Sequence, residues 1–381
     1  MNRNEKYDLT YITIDALSEG VGSSQIIPLI SRLSETGLKI NLITYEKSEP
    51  SSDHILFFKS IGVEWNFRHF GASGLIGGVS RINDLRREIP RTEIVHARSD
   101  IPAVSGFLSS QAPVLWDVRS LWADQKIMIQ DNLINKTLYR AYRSLESIAA
   151  SKSVGMSTLT KAVVPILEKR HRTLPLHRAV VPTAVDLERF KLAQDFPINI
   201  RALFSGTFND YYDLGLSALF MQKLCKLKIV DIHWARPHES SKAFIGVGET
   251  KTFPVTQNEM ADLIPNYSFG LSVCKMNAGP SLTAAMPTKI AEFLACGRPI
   301  VVNKGLGDMD QFLEEFNAGV VLDGSAENLR EGVSKLINLI EDPDTPARCR
   351  SLAEKYFNMD VGSRKYLNLY KEVLDQKPKA P

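Results

Sequence analysis

Thr288, Lys289 and Glu292 lie within one turn of each other in the stretch Met286-Pro-Thr-Lys-Ile-Ala-Glu-Phe-Leu-Ala-Cys-Gly-Arg-Pro-Ile-Val-Val302. On a helix, residues three and four apart share a face, so a hydroxyl, an ammonium and a carboxylate would stand together. Ile290, Phe293 and Leu294 form the opposite, apolar stripe. Pro287 suits the first helical position, Gly297 a left-handed cap, and Pro299 stops continuation. Met286, then in the cap position, has no side-chain oxygen for the N–H groups of Thr288, Lys289 and Ile290. The positive end of the helix dipole is thereby offered to an anion such as phosphate. These groups suit a nucleotide sugar, with phosphates at the helix end and ribose hydroxyls on Glu292. An amphipathic helix with solvated Lys and Glu fits the same residues.

Two further polar clusters follow apolar runs. His96, Arg98 and Ser99 come after one, and Asp117 and Arg119 after the next, in Pro113-Val-Leu-Trp-Asp-Val-Arg-Ser-Leu-Trp-Ala-Asp124. Ligands of open α/β sheets lie beyond the carboxyl ends of strands, where these side chains would stand. A buried ion pair for Asp117 and Arg119, and a satisfied core histidine for His96, remain open. Glu19-Gly-Val-Gly-Ser-Ser-Gln25 offers Gly20 and Gly22 in a turn where a phosphate or sugar can approach bare backbone. It lacks the third glycine of a dinucleotide fingerprint, and no acidic residue cleanly ends the second strand. No cluster of carboxylates is read as a metal site.

The elements that must position these groups alternate. Tyr7–Ile14 reads as a buried strand, 26–36 as a helix and 38–45 as a second strand, the opening of a doubly wound α/β sheet. Further strands are expected near 63–67, 94–96 and 113–118, and a long helix over 133–151 precedes another strand near 153–156. Val180-Val-Pro-Thr-Ala-Val-Asp-Leu-Glu-Arg-Phe190 reads as a crossover, with a hinge at about 186. A second αβ series then follows, with strands near 201–208, 229–234, 251–253, 267–273, 300–302 and 319–322. Arg236 stands just past the second of these strands, and Lys275 opens the loop 274–285.

The chain of 381 residues is long enough for two domains, and 44% hydrophobic with 23% charged residues suits a soluble globular protein. A net charge of +3 argues against a dedicated nucleic-acid binder. Residues 1–185 carry 23 Lys and Arg against 18 Asp and Glu, and the remainder 23 against 25. The mildly basic first half is compatible with a phosphorylated acceptor or peripheral contact with an anionic membrane. No apolar run approaches membrane-spanning length, and Met1–Asp8 holds no secretory signal. Four scattered cysteines read as reduced thiols, so a cytoplasmic location is expected, compatible with the inner face of the membrane.

Pro287-Thr-Lys-Ile-Ala-Glu-Phe-Leu-Ala-Cys-Gly-Arg-Pro-Ile-Val301 resembles the donor-binding segment of retaining glycosyltransferases of family four, and the crossover at 180–190 and the glycine turn extend the likeness. The resemblance implies a GT-B fold, two doubly wound Rossmann-like domains facing each other across a cleft. Residues 1–185 would then form the acceptor-side domain, braced by a C-terminal helix at 358–375, and 186–357 the donor side. It implies hexosyl transfer from a UDP- or GDP-linked sugar to a glycan or lipid-linked acceptor, as in polysaccharide biosynthesis, with no metal or other cofactor. His96, Asp117, Arg119 and Lys289 become catalytic candidates. Gly20, Gly22, Arg236, Lys275, Thr288, Lys289 and Glu292 become donor-binding candidates. Two departures stand out: the family's basic pair is missing from 205–213, and Ala284 stands where a glutamate is usual. A nucleotide- or glycan-binding scaffold without turnover, or a nucleotide-sugar epimerase, therefore remains open.

Overall fold

The computed structural model describes residues 6–375 apart from 19, 73, 87, 130–132, 207, 236–243, 245–246, 248–249 and 257–258. The chain divides into two compact units, one of residues 1–182 with 359–381 and the other of 183–358.

The first unit holds a parallel sheet of seven strands: β1 Tyr7–Ile12, β2 Ile40–Glu46, β3 Glu64–His69, β4 Thr92–Arg98, β5 Val114–Val118, β6 Gly155–Thr158 and β7 His177–Val180. Their order is β3-β2-β1-β4-β5-β6-β7, so the direction of winding reverses between β1 and β4. Parallel sheets are covered on both faces and their strands read as unbroken apolar runs rather than alternating ones. Every residue of β2 is buried accordingly, whereas the edge strand β3 is polar and partly exposed. The chain's last helix, Met359–Asp375, belongs to this unit. It lies close on the sheet because Gly155 has no side chain: a Cβ there would stand 2.8 Å from both Val373 and Leu115.

The second unit holds a parallel sheet of six strands: β8 Ile200–Phe204, β9 Val230–Ala235, β10 Thr250–Phe253, β11 Phe269–Ser272, β12 Ile300–Asn303 and β13 Gly319–Leu322. Their order is β10-β9-β8-β11-β12-β13, with the reversal between β8 and β11. Phe204 and Trp234 stack at the centre of its core and Phe244 meets both edge-on, with ring centroids 4.3–5.1 Å apart.

Four local expectations need correction. The turn at Gly20–Gln25 is helical, with one π-turn over Gly22–Ile26 running directly into the helix Ile27–Ser34. The segment after β5, where no helix is expected before 133, forms the helix Trp122–Ile129. The loop 274–285 contains two short helical turns, Met276–Ala278 and Pro280–Thr283. Pro287 is the cap of its helix, not the first helical residue, so the helix runs Thr288–Ala295.

Candidate functional site

The helix Thr288–Ala295 sits beside the reversal of the second sheet. Its apolar face holds Ile290, Phe293 and Leu294, all fully buried. The Phe293 ring lies where a Cβ on Gly270 of β11 would stand, 2.6 Å away, so that glycine admits the helix. Gly297 takes φ +76° and its N–H donates to the Leu294 carbonyl, closing the helix in the left-handed region that favours glycine. At the other end Pro287, with ψ 133°, contributes no side-chain acceptor, and the first-turn N–H groups carry the positive end of the dipole.

Lys289 stands in that first turn and is only 7% exposed. Its Nζ lies 3.9 Å from the Phe208 ring centroid and 4.3 Å from that of Tyr212, within cation–π range of both. Gly206, φ +81°, brings the chain after β8 alongside: a Cβ there would be 3.6 Å from Lys289 Cε and 3.7 Å from Nζ. The amine has no hydrogen-bond partner among the described residues. Burial lowers its pKa to about 7, against smaller opposing effects of Cys274 and Glu292. The Cys274 thiol is itself pushed up to about 12 by burial. Glu292, one turn along, is 5% exposed and Thr288 is half-buried. Ser205 follows β8 and Ser272 ends the neighbouring β11; both hydroxyls are buried without a partner among the described residues. Buried polar groups are normally hydrogen-bonded, so an unpartnered amine and two hydroxyls near one sheet reversal are unusual. Lys275 is half-buried, its N–H donating to the Tyr211 carbonyl at 2.9 Å. Arg236 lies outside the described residues.

His96 and Asp117 meet at the carboxyl ends of β4 and β5, but in a closed network. Asp117 is 1% exposed. Its Oδ2 accepts from Arg119 Nε at 2.6 Å, and its Oδ1 from Ser157 Oγ at 2.7 Å and Tyr366 Oη at 3.2 Å. His96 is fully buried, with Nδ1 2.6 Å from Tyr370 Oη and its ring 4.4 Å from that of Tyr11. Its Nε2 is 3.3 Å from Asp117 Oδ2, a close electrostatic contact rather than an aligned hydrogen bond. Burial works against the Asp117 carboxylate, yet Arg119, His96 and Arg98 outweigh it and hold its pKa below the ordinary carboxylate range. Burial likewise keeps the His96 imidazole neutral by lowering its pKa. Arg98 extends the network across the sheet reversal, its Nε donating to Asp15 Oδ2 at 2.8 Å. Arg119, whose Nη2 bonds Tyr366 Oη, keeps 12% of its side chain exposed. The expectation that His96 and Asp117 themselves touch substrate does not fit these surroundings. Both are enclosed: His96 bonds Tyr370, and Asp117 bonds Arg119, Ser157 and Tyr366.

The glycine segment is also differently built. Gly22 packs against backbone: a Cβ there would stand 2.1 Å from the Ala16 carbonyl oxygen. Gly20 faces open space, and its carbonyl accepts from Ser24 Oγ at 2.5 Å. The sequence reading missed Glu46, which ends β2 and whose carboxylate accepts from Leu17 N at 3.0 and 3.1 Å. Ending the second strand one residue later would have found it. Tyr366 and Tyr370 were also missed, and no local pattern marks them. Among the described residues, no group of three His, Cys, Asp or Glu side chains could hold a metal ion, and no helix is long and apolar enough to cross a membrane.

No protein-family model matches the chain, and no curated protein matches its sequence. Solved structures do match. A glycosyltransferase from Rickettsia africae is 14% identical, with 98% of this chain and 100% of that one covered and a TM-score of 0.70. Sucrose-phosphate synthase from Thermosynechococcus elongatus is 11% identical over 97% and 99% of the two chains, TM-score 0.69. Anabaena HepE, solved with UDP and glucose, is 11% identical over 96% and 100%, TM-score 0.66. At these identities the likeness establishes the fold: two parallel sheets of seven and six strands with flanking helices, as in GT-B glycosyltransferases.

Proposed function

We propose that the chain is a retaining glycosyltransferase resembling family four, moving a hexosyl group from a UDP- or GDP-linked sugar to a glycan or lipid-linked acceptor. The observation that carries this reading is the unpartnered, buried Lys289 amine in the first turn of an uncapped helix at the reversal of the second sheet. In transfer, the bond between the anomeric carbon and the diphosphate oxygen breaks, an acceptor hydroxyl oxygen takes its place, and the hydroxyl proton passes to the departing diphosphate. The departing diphosphate gains negative charge, which preorganised donors and cations stabilise. Residues 183–358 hold the donor: the helix end and Lys289 take the diphosphate, Glu292 the ribose hydroxyls, and Thr288 and Lys275 the phosphate surroundings. Residues 1–182 serve the acceptor, with Arg119 as the contacting cation, held in place by Asp117 and Tyr366. The excess of basic residues in that half supports work in the cytoplasm, at the inner face of a membrane.

A second reading has its own support. No cation stands in 205–213, and Ala284 is a buried alanine where the resemblance leads one to expect a carboxylate. A scaffold that binds a nucleotide without turnover would tolerate both. Incubating the purified chain with UDP- and GDP-linked sugars, scored by thermal shift and nucleotide release, separates the cases. A transferase shifts and releases nucleotide when acceptor is present; a scaffold shifts and releases none; an epimerase interconverts donors without acceptor. If no nucleotide sugar raises the melting temperature, the nucleotide reading fails.

A further inference from the structure

Lys289 is buried in a way that a standing cation rarely is. It is 7% exposed, faces two aromatic rings, and has neither carboxylate nor carbonyl as a hydrogen-bond partner among the described residues. An isolated ammonium in such surroundings loses more from desolvation than ring faces return, so the group gives up its proton more easily than an exposed lysine. We propose that Lys289, seated between Phe208 and Tyr212 against Gly206, is mainly a neutral amine above neutral pH in the unliganded protein and takes up a proton when a nucleoside-diphosphate sugar binds. The step adds one proton from solvent to –NH2, giving –NH3+; no other bond is made or broken. This inference rests on the donor reading above and adds how that site is charged.

The surrounding groups agree with it. The Cys274 thiol, from the segment after β11, stays protonated because burial raises its pKa to about 12. Burial likewise raises the pKa of the Tyr212 hydroxyl, from the segment after β8, so it too brings no charge. Glu292, on the same helix, favours the ammonium, but as a smaller effect than burial, which lowers the Lys289 pKa to about 7. A diphosphate at contact distance brings the opposite charge that these groups do not supply, and outweighs the desolvation that keeps the amine neutral. Phe208 and Tyr212 are positioning residues: their ring faces fix where the ammonium forms. The arrangement also answers the missing cations of 205–213. The first-turn lysine that would oppose the helix dipole as a permanent charge does not do so until the anion arrives.

Calorimetric titration of the full chain with UDP-glucose and GDP-mannose, in two buffers of different ionisation enthalpy, reads proton uptake directly. Neither nucleotide sugar has a diphosphate group titrating near neutrality. With a pKa near 7, about nine tenths of the amines are neutral at pH 8 and about one hundredth at pH 5. Uptake should therefore approach one proton per bound donor at pH 8 and vanish at pH 5. Lys289→Arg should bind at pH 8 without uptake, because guanidinium is already charged. Phe208→Leu should weaken donor binding and move the pH midpoint of affinity, which a purely structural role would not do. Binding by the parent chain without proton uptake at pH 8, or uptake that persists in Lys289→Arg, overturns the inference alone. Failure of both donors to bind at either pH overturns the nucleotide reading, and this inference with it.

Discussion

The hydroxyl of Tyr370 lies 2.6 Å from Nδ1 of His96, although the two residues stand 274 positions apart in the chain. Tyr366, one turn earlier on the same last helix, reaches the Asp117 carboxylate. The last helix is thereby tied to the carboxyl ends of β4 and β5 through polar groups that are almost wholly buried. This changes what substitution of Asp117 should do.

Asp117→Asn should unfold more readily than the parent chain. The substitution leaves Arg119 without its carboxylate in a buried network, and breaking such a network typically costs about 3–5 kcal/mol. Because the folded-state pKa of Asp117 is depressed, its contribution is present above the ordinary carboxylate pKa and fades as pH falls below about 4. Denaturant unfolding at neutral and acid pH would show the gap between parent and variant closing on acidification. Unchanged stability with lost transfer activity would instead make Asp117 a catalytic residue.

The two glycines of the first segment should respond in opposite ways. A Cβ at Gly22 meets the Ala16 carbonyl at 2.1 Å and Leu17 Cα at 2.5 Å, both backbone, so Gly22→Ala must displace the chain after β1. Such overpacking destabilises by about 1–3 kcal/mol. Gly20 is helical with nothing within 4 Å of a new Cβ, so Gly20→Ala should be neutral or stabilising by up to about 1 kcal/mol. Equal melting temperatures for the two variants would contradict this packing.

Asp100 titrates in the opposite sense to Asp117. It is buried and accepts from Trp116 Nε1 at 3.0 Å. Burial, with a smaller effect of Glu146, raises its pKa to about 7. A raised carboxyl pKa gives stability that is full at low pH and is lost as pH rises from about 4 through 7. Asp100→Asn keeps an acceptor for Trp116 and has no charge to bury. It should match the parent near pH 4 and exceed it at pH 8 by about 2–4 kcal/mol, at roughly 1.4 kcal/mol per pH unit. A variant less stable than the parent at pH 8 would mean that the dipole of the helix Asp100–Ser109, whose first turn holds Asp100, keeps the carboxylate charged.

Lys289→Met should lower the transfer rate by a factor of roughly 10²–10³, the usual effect of losing one preorganised charge contact, without lowering the melting temperature. The stability part follows from the amine's lack of a hydrogen-bond partner among the described residues, since a thioether of similar length fills the space without a buried polar end. Steady-state transfer assays and thermal unfolding on the same preparation check both halves. Transfer at the parent rate would move the charge to Lys275 or Arg236.

What the sequence determined is what depends on neighbours along the chain. The apolar stripe Ile290, Phe293, Leu294, the left-handed Gly297 and the strand opening at Ile300 follow from local spacing and backbone preference, and the structure has each of them. The alternation of strands and helices was legible for the same reason, so the doubly wound class could be read directly. Tertiary structure decided which polar groups keep their water. Thr288, Lys289 and Glu292 look alike on a helical face, yet Lys289 is enclosed because Phe208, Tyr212 and Gly206, about 80 residues away, close over it. Asp117 and His96 could be read from the sequence as groups facing a substrate or as buried polar groups, and the last helix, distant in the chain, bonds both. Protonation state and accessibility depend on distant partners and on desolvation, and neither leaves a period or a spacing in the sequence.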